Sequence, residues 1–394
     1  MKITQFILSN FKSFKNGKNR IYDANVINFI YGENNSGKSN ILKFLKLIFN
    51  LKRTTNAIEV EGDVLSKDSL NYFFEGIIDN EPYIFHKNKR DEKIVFKFFI
   101  DISNEELKTA GFDFFETLKE EYLDGGGKVA KLKFEGNIRS LDTKSTSEIS
   151  LDSVSLNGKE VYLKDKKQEK FFNSGHDPMG LLGDKIKFQQ LISYLNEITL
   201  YIDNDRFFEK EKFQKEVSSL NAQNFKSWLY NFSLDEFRYE EYLSLLEFVR
   251  TNKIESLNSL SKLDVSYSID ENNNLDLLLH NGSERLPISS FGTGVSQIFF
   301  ILAKIFSTRS KVILIEELEL NLSPKTQREL FKILRNLINQ GQINQVFFTS
   351  HSRYFNFRND FSIYEVSMDA NGVSSIQRQN GSVRAGFFNA YKLD

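Results

Sequence analysis

Four short clusters in this 394-residue chain bring together residue types that do chemistry on a phosphate chain. Gly32-Glu33-Asn34-Asn35-Ser36-Gly37-Lys38-Ser39 matches G-x-x-x-x-G-K-[ST] without a mismatch. Its glycines let several backbone N–H groups converge on one phosphate, and a helix starting behind the loop adds its positive end. Lys38 is expected to reach the β- and γ-phosphates, and the Ser39 hydroxyl to ligate Mg²⁺. Gly32, Asn34, Asn35, Ser36, Gly37 and Asn40 complete the expected nucleotide-contacting set.

Val312-Ile313-Leu314-Ile315-Glu316-Glu317 is an apolar run ending in two acids. A buried strand does not carry paired carboxylates inward without a charged partner, and hydrated Mg²⁺ is one. Glu316 then takes the metal-linked place, and Glu317 polarises the attacking water as general base. The bland alternative is a solvated loop start, which the upstream phosphate loop disfavours. His351 follows the apolar run Phe347-Phe348-Thr349 and could present its imidazole to a γ-phosphate. Ser289-Ser290-Phe291-Gly292-Thr293-Gly294 places small residues at another helix start, a second anion site on one chain. An ordinary cap by Ser290 is the competing explanation.

The elements around these clusters read in a consistent order. Ile3–Leu8 and Ala24–Tyr31 are expected strands, and Ser39–Phe49 repeats apolar residues at helical spacing. Ile94–Ile102 reads as a buried strand. Leu107–Tyr122 and Phe188–Ile198 read as amphipathic helices. Asn157-Gly158 between alternating apolar positions signals a hairpin, as does the pairing of Val265–Ile269 with Leu275–Leu279. Phe225–Val249 reads as one or two helices. Helices at Val295–Phe306 and Pro324–Ile338 alternate with strands at 312–315 and 345–349, and a hairpin turns at Asn371-Gly372. The expected class is α/β, with a mixed, mostly parallel central sheet, flanking helices, an antiparallel β subdomain and a helical insertion. The expected partition is 1–102, an insertion of hairpin plus helices at 103–195, and 196–394 including a helical segment at 207–260.

Composition narrows the partners. With no Cys, disulfides and thiolate metal sites are excluded. A formal net charge of −1 speaks against wholesale coating of nucleic acid. No apolar run reaches about 18 residues, so no membrane span is expected, and the N-terminus carries no leader pattern. A cytoplasmic protein is the expectation. The 38 Phe residues are read as coding bias rather than a recognition surface.

With the four clusters in hand, the chain resembles the ABC-type ATPases of the SMC, RecF and OLD group. Asn10-Phe11-Lys12-Ser13-Phe14 looks like the segment that opens those heads. Ile315-Glu316-Glu317-Leu318-Glu319 with Asn321-Leu322-Ser323-Pro324, Thr349-Ser350-His351-Ser352, and Tyr201–Arg206 are similar to OLD-like blocks of the AAA-15 and AAA-21 type. Leu318 and Ser323 depart from the usual Pro and His. The resemblance implies two heads packed head to tail around two ATP molecules. In that arrangement Lys38, Ser39, Glu316, Glu317 and His351 come from one copy, and Ser290 and Gly292 of the other cap the γ-phosphate. Asn321 lies at the seam, and Lys12 touches nucleotide phosphates.

The 251 residues from Ser39 to Ser290 are too few for SMC coiled-coil arms, and the 43 after His351 too few for a Toprim nuclease. The resemblance therefore implies a stand-alone head, a homodimer or higher even-numbered homo-oligomer. It would control a separate effector, a nuclease, in bacterial anti-phage defence. Two alternatives stay open. One is a RecF-like DNA-binding ATPase, with Lys12, Lys15, Lys18 and Arg20 or Lys87, Lys89, Arg90 and Lys93 tracking phosphates. The other is an ATP-switched scaffold with little turnover.

Overall fold

Ile3, Phe6 and Leu8 share the buried face of β1 (Lys2–Ser9) because a bulge between Ile3 and Gln5 shifts the period-2 alternation by one residue. The computed structural model describes residues 1–15, 19–49, 76–79, 84–89, 91–103, 106, 129–140, 146–164, 169–171, 195, 198–206, 210–217, 220–251, 265–281, 284–308, 310–351 and 361–379. The chain forms two compact units: residues 1–199 with 359–394, and residues 200–358.

The first unit holds an eight-stranded sheet. Its strands are β1, β2 (Arg20–Ile21), β4 (Gly76–Asp79), β5 (Ile94–Ser103), β6 (Val129–Ser140), β7 (Thr146–Leu156), β8 (Lys159–Lys164) and β9 (Glu169–Phe171). The order is β2-β1-β5-β6-β7-β8-β9, with β4 also on β7, and these pairings are antiparallel. On β5 the residues Ile94, Phe96, Phe98, Ile100 and Ile102 are buried and their neighbours are not, so this strand is half-buried rather than wholly buried. Gly136 of β6 is required: a Cβ there would sit 2.4 Å from the Phe96 ring and 2.5 Å from Ser150 O.

Helix α1 (Lys38–Phe49) joins this sheet through aromatic rings. Phe44 stacks on Phe98 with centroids 5.8 Å apart, and Phe49 meets Phe98 edge-on at 5.0 Å. At this face the Phe residues are core. The same unit pairs β3 (Ile27–Gly32) in parallel with β17 (Phe361–Met368), which pairs antiparallel with β18 (Ser374–Gln379). The turn between the last two carries Gly372 at φ +72°, as the Asn-Gly signal requires.

In the second unit β10 (Thr199–Ile202), β15 (Val312–Ile315) and β16 (Gln345–Thr349) are sheet neighbours, and β15 and β16 run parallel. Helices α2 (Phe225–Leu234) and α3 (Tyr239–Thr251) precede a small antiparallel sheet of β11 (Glu211–Lys212), β12 (Val265–Ile269), β13 (Asn274–Asn281) and β14 (Glu284–Pro287). Helix α4 (Thr293–Phe306) is apolar over nearly its whole circumference, because Val295 to Ala303 are all buried. Helix α5 (Pro324–Asn339) starts with Pro at its first turn and a Ser323 cap that accepts from Thr326 N–H at 3.2 Å.

The other two sequence-read hairpins also form: Leu156 faces Lys159 across Asn157-Gly158, and Val265 pairs with Leu279. The partition differs from expectation. The border at 102/103 falls inside β5, before its last residue Ser103; β5 pairs with β6 from Ile94↔Ile138 to Ser103↔Val129, so the border cuts through one sheet. Apart from Leu195 and Ile198, the described residues of 129–198 are strands and their turns, more strand than the one hairpin expected in the insertion. The expected helices at 107–122 and 188–198 lie outside the described residues, apart from Leu195 and Ile198. Residues 361–379 return to the first unit rather than closing a separate C-terminal block. Among the described residues no helix is long and apolar enough to cross a membrane.

Candidate functional site

The phosphate loop lies in the first unit between the buried strand β3 and helix α1. Its backbone turns through Asn35 at φ +62° and Gly37 at φ +102°. At Gly37 a side chain is excluded twice over, since a Cβ would lie 2.6 Å from both Ser13 Oγ and Ser374 Oγ. At Gly32 a Cβ would meet Val366 O at 2.1 Å. Glu33, Asn34 and Asn35 are exposed at the lip, and Ser39 and Asn40 are half-buried at the helix start.

The Lys38 side chain folds back over this loop. Its Nζ donates to Gly32 O at 2.9 Å and to Glu33 O at 2.6 Å. An ammonium held over the loop on two backbone acceptors can exchange them for phosphate oxygens without moving its own helix. Ser36 is buried, and its Oγ has no hydrogen-bond partner among the described residues. A Cβ-free cradle, an ammonium over it and an unspent buried hydroxyl fit a nucleotide phosphate.

Two outside elements, β18 and the Asn10–Phe14 segment, clamp the loop. Ser374 of β18 donates from Oγ to Ser36 O at 2.6 Å, and its N–H donates to Ser13 O at 2.8 Å. Asn40 Nδ2 donates to Ser13 Oγ at 2.9 Å. The Asn10–Phe14 segment turns through Asn10 at φ +60° and Lys12 at φ +49°. It is pinned by Lys12 N–H to Ile84 O and His86 N–H to Asn10 O, and half-buried Lys12 immediately precedes Ser13, the residue bonded to Asn40 and Ser374. A separate cavity of about 710 Å³, lined by Thr4, Phe99, Asp101 and Lys131 among others, lies on the antiparallel sheet and includes no loop residue.

The second unit gathers Glu316, Glu317 and His351 at the carboxyl ends of β15 and β16, where α/β sheets place their ligand chemistry. Glu316 is buried and Glu317 half-buried, the latter with φ +45°. Thr349 ties the two strand ends: its Oγ1 accepts from Glu317 N–H at 2.9 Å, and its carbonyl from Leu318 N–H at 3.0 Å. His351 is exposed, with its N–H donating to a Glu319 carboxylate oxygen. Leu318 is fully buried and Ser323 serves as the α5 cap, so both departures from the family pattern have structural employment here. Among the described residues no group of three or more His, Cys, Asp or Glu could hold a metal by itself.

Arg206 lies beneath the acid pair and is fully buried. Its Nη2 donates to Glu316 O at 3.1 Å and Glu317 O at 2.7 Å. Burial pushes the guanidinium pKa down to about 10 against the pull of Asp203, Glu319, Glu317 and Glu316. From sequence, Arg206 and Thr349 were marked only by resemblance, and Gln297 and Ser374 were not marked at all.

The Ser289–Gly294 cluster, a glycine signature at a helix start, is also in the second unit. Ile288–Phe291 forms a single 3-10 turn, and α4 begins at Thr293, two residues before the expected start. Its cap is Gly292 at φ 86°, ψ 159°, with no side-chain cap bond, so Ser290 does not serve as an ordinary helix cap. Ser289, Ser290, Gly292 and Thr293 are exposed. Thr293 Oγ1 donates to Asn321 O at 3.4 Å, joining the signature to exposed Asn321 at φ +57°.

The AAA ATPase domain family matches residues 1–355 of the chain. An ATP/GTP phosphatase from Helicobacter pylori is 24% identical over 359 residues, covering 88% of this chain and 85% of that protein. Among solved structures, an SMC head bound to the C-winged helix domain of ScpA is 13% identical, covering 98% of this chain and 100% of that one, with a TM-score of 0.49. An SMC head domain from Thermotoga maritima is 14% identical, covering 96% and 100%, with a TM-score of 0.44.

Proposed function

This chain belongs to the AAA ATPase domain family and is an ATPase, and we propose that each of its ATP sites is completed by two copies packed head to tail. The Lys38 loop of one copy grips the triphosphate, and the Ser290–Gly292 helix start of the other closes over it. The observation that carries this reading is the α4 start, exposed and without a side-chain cap, at a helix end that attracts anions. A chain whose phosphate loop already supplies one such end needs a second only for another nucleotide.

Within this reading the chain's own groups divide the work. Lys38 and the loop amides neutralise the phosphate oxygens, while Gly32, Asn34, Asn35, Ser36, Gly37 and Asn40 shape the cradle. Ser39 and Glu316 would hold Mg²⁺, which when bound supplies positive charge against the phosphate oxygens. Glu317 takes the proton of the attacking water, and His351 orients that water or senses the γ-phosphate. Asn321 lies at the seam, and Lys12 contacts the nucleotide from the side of Ser13. The OLD-like resemblance extends the reading to a separate effector protein of the nuclease class, moved by closure and opening of the dimer in anti-phage defence.

Mixing two inactive variants tests the shared site. Chains with Lys38→Ala and chains with Ser290→Glu are each expected to be inactive alone and to regain phosphate release together. Absence of any regain, with mixed dimers demonstrated, overturns the shared site.

A further inference from the structure

Two residues, Gln297 and Arg206, join the signature helix to the acid pair inside the second unit. Gln297 stands one helical turn after Thr293, about 6 Å along the axis of α4. It is buried, and its Nε2 donates to the backbone carbonyl of Arg206. Arg206 in turn donates through Nη2 to the carbonyls of both Glu316 and Glu317. Its Nε and Nη1, though buried, have no hydrogen-bond partner among the described residues. A fully buried guanidinium that spends one nitrogen on two backbone carbonyls is an expensive way to hold a strand end. Its placement is specific instead: it fixes the peptide units that carry the two carboxylates, one of which has a positive φ.

The same helix start is tied forward as well. Thr293 Oγ1 reaches Asn321 O, and Gly294 lies close enough to Thr326 that a Cβ would stand 3.3 Å from its methyl. A rigid helix anchored at Gln297 and Thr293 cannot shift at its N-terminus without loading Arg206.

We propose that Arg206 and Gln297 are positioning residues that couple the two ATP sites of the dimer: closure of α4 on the partner's nucleotide sets, through Gln297 and Arg206, where Glu317 holds its carboxylate for the chain's own nucleotide. This rests on the shared-site reading above and adds to it that the two sites are not independent.

The experiment uses the full chain with Gln297→Leu, which keeps the side chain's bulk and removes its donor, and Arg206→Lys, which keeps the charge and loses the fork. For each, ATP binding, phosphate release against ATP concentration and thermal melting are measured. Both variants should bind ATP within about twofold of the parent and melt as one transition, while kcat falls on the order of tenfold to a hundredfold, since a small misplacement of a base costs that much. The Hill coefficient of turnover, above 1 in the parent, should fall to 1 in Gln297→Leu. If Gln297→Leu keeps the parent's kcat and Hill coefficient, or the parent itself shows independent sites, the coupling is wrong. Should Arg206→Lys fail to fold, Gln297→Leu decides alone. Glu317→Gln in parallel separates the two failures: normal turnover there sinks the assignment of the base, whereas a dead Glu317→Gln beside an unchanged Gln297→Leu sinks only the coupling.

Discussion

Ser374 donates its hydroxyl hydrogen to the carbonyl oxygen of Ser36 at 2.6 Å, across 338 residues of chain. Strand β18 therefore holds the floor of the phosphate loop, and its N–H holds Ser13 in the same clamp. Ser374 is buried and close to Gly37, so removing its hydroxyl loosens the loop without disturbing the sheet register. Ser374→Ala should lose about 1 kcal/mol, a typical net worth for one hydrogen bond, which read as ATP affinity is about fivefold. Titration calorimetry checks this, and an unchanged affinity would mean that the loop keeps its shape without β18.

Lys38→Ala should abolish nucleotide binding while leaving the apo protein nearly as stable, because the Gly32 and Glu33 carbonyls it releases lie at a loop that water can reach. The parent's melting temperature should rise with ATP, by an amount equivalent to about 2.7 kcal/mol at a hundredfold excess over Kd, and the variant's should not move. A variant that still melts higher with ATP would refute the loop assignment.

Glu317→Gln should bind ATP, stop releasing phosphate and accumulate a stable dimer. The amide preserves shape and the Thr349 Oγ1 bond, which goes to the Glu317 backbone N–H. Only the proton acceptor is lost, a change worth about 10²- to 10⁴-fold in rate. Size-exclusion chromatography with light scattering, run with ATP, reads the trapped dimer, and single-turnover kinetics read the rate. Turnover at the parent's rate would remove Glu317 from the chemistry.

Local chemistry made the loop, the acid strand, His351 and both Asn-Gly hairpins legible, because each needs particular residues a few positions apart. What escaped was long-range. The Arg206 bonds to Glu316 and Glu317 span 110 and 111 residues, and the Gln297 bond to Arg206 spans 91, so no window of sequence contains them. One signal was available for Gln297, a lone amide inside the apolar run Val295–Phe306, where a buried polar group must have a partner. The eight-stranded sheet was underread for a different reason. On β6 and β7 the bulge at Glu135/Gly136 interrupts the alternation of Ala130, Leu132 and Phe134, so the pattern looks irregular although each half is regular.

Alkaline pH should expose the tie between β17 and Tyr22. Tyr364 is fully buried, donates its hydroxyl to Tyr22 O at 2.7 Å, and burial holds its phenol well above the usual value of 10.0. The unfolded chain loses this proton near pH 10 while the folded chain keeps it, so the folded state binds more protons and stability falls as pH rises past 10. The contribution is fully present below pH 10. Tyr364→Phe should therefore cost about 1 kcal/mol at pH 8 and progressively less above pH 10. Urea denaturation at pH 8 and pH 10.5 measures both, and a gap that does not narrow at the higher pH excludes ionisation of Tyr364 as the cause.

Complementation gives the sharpest reading of the dimer. In a head-to-tail pair, a Lys38→Ala chain keeps its signature and a Ser290→Glu chain keeps its loop, so the mixed dimer contains one intact site and one doubly damaged site. Ser290 is exposed, so glutamate is accommodated sterically and acts by setting a negative charge where the γ-phosphate is expected. Equal mixing with free exchange makes half the dimers mixed, each with one of two sites, so independent sites should restore about a quarter of parental turnover. If Gln297 and Arg206 couple the sites, the doubly damaged one cannot close its α4 contact and the restored fraction falls clearly below a quarter. Restoration to a quarter supports sharing without coupling, a smaller but definite recovery supports both, and none at all rejects the head-to-tail arrangement.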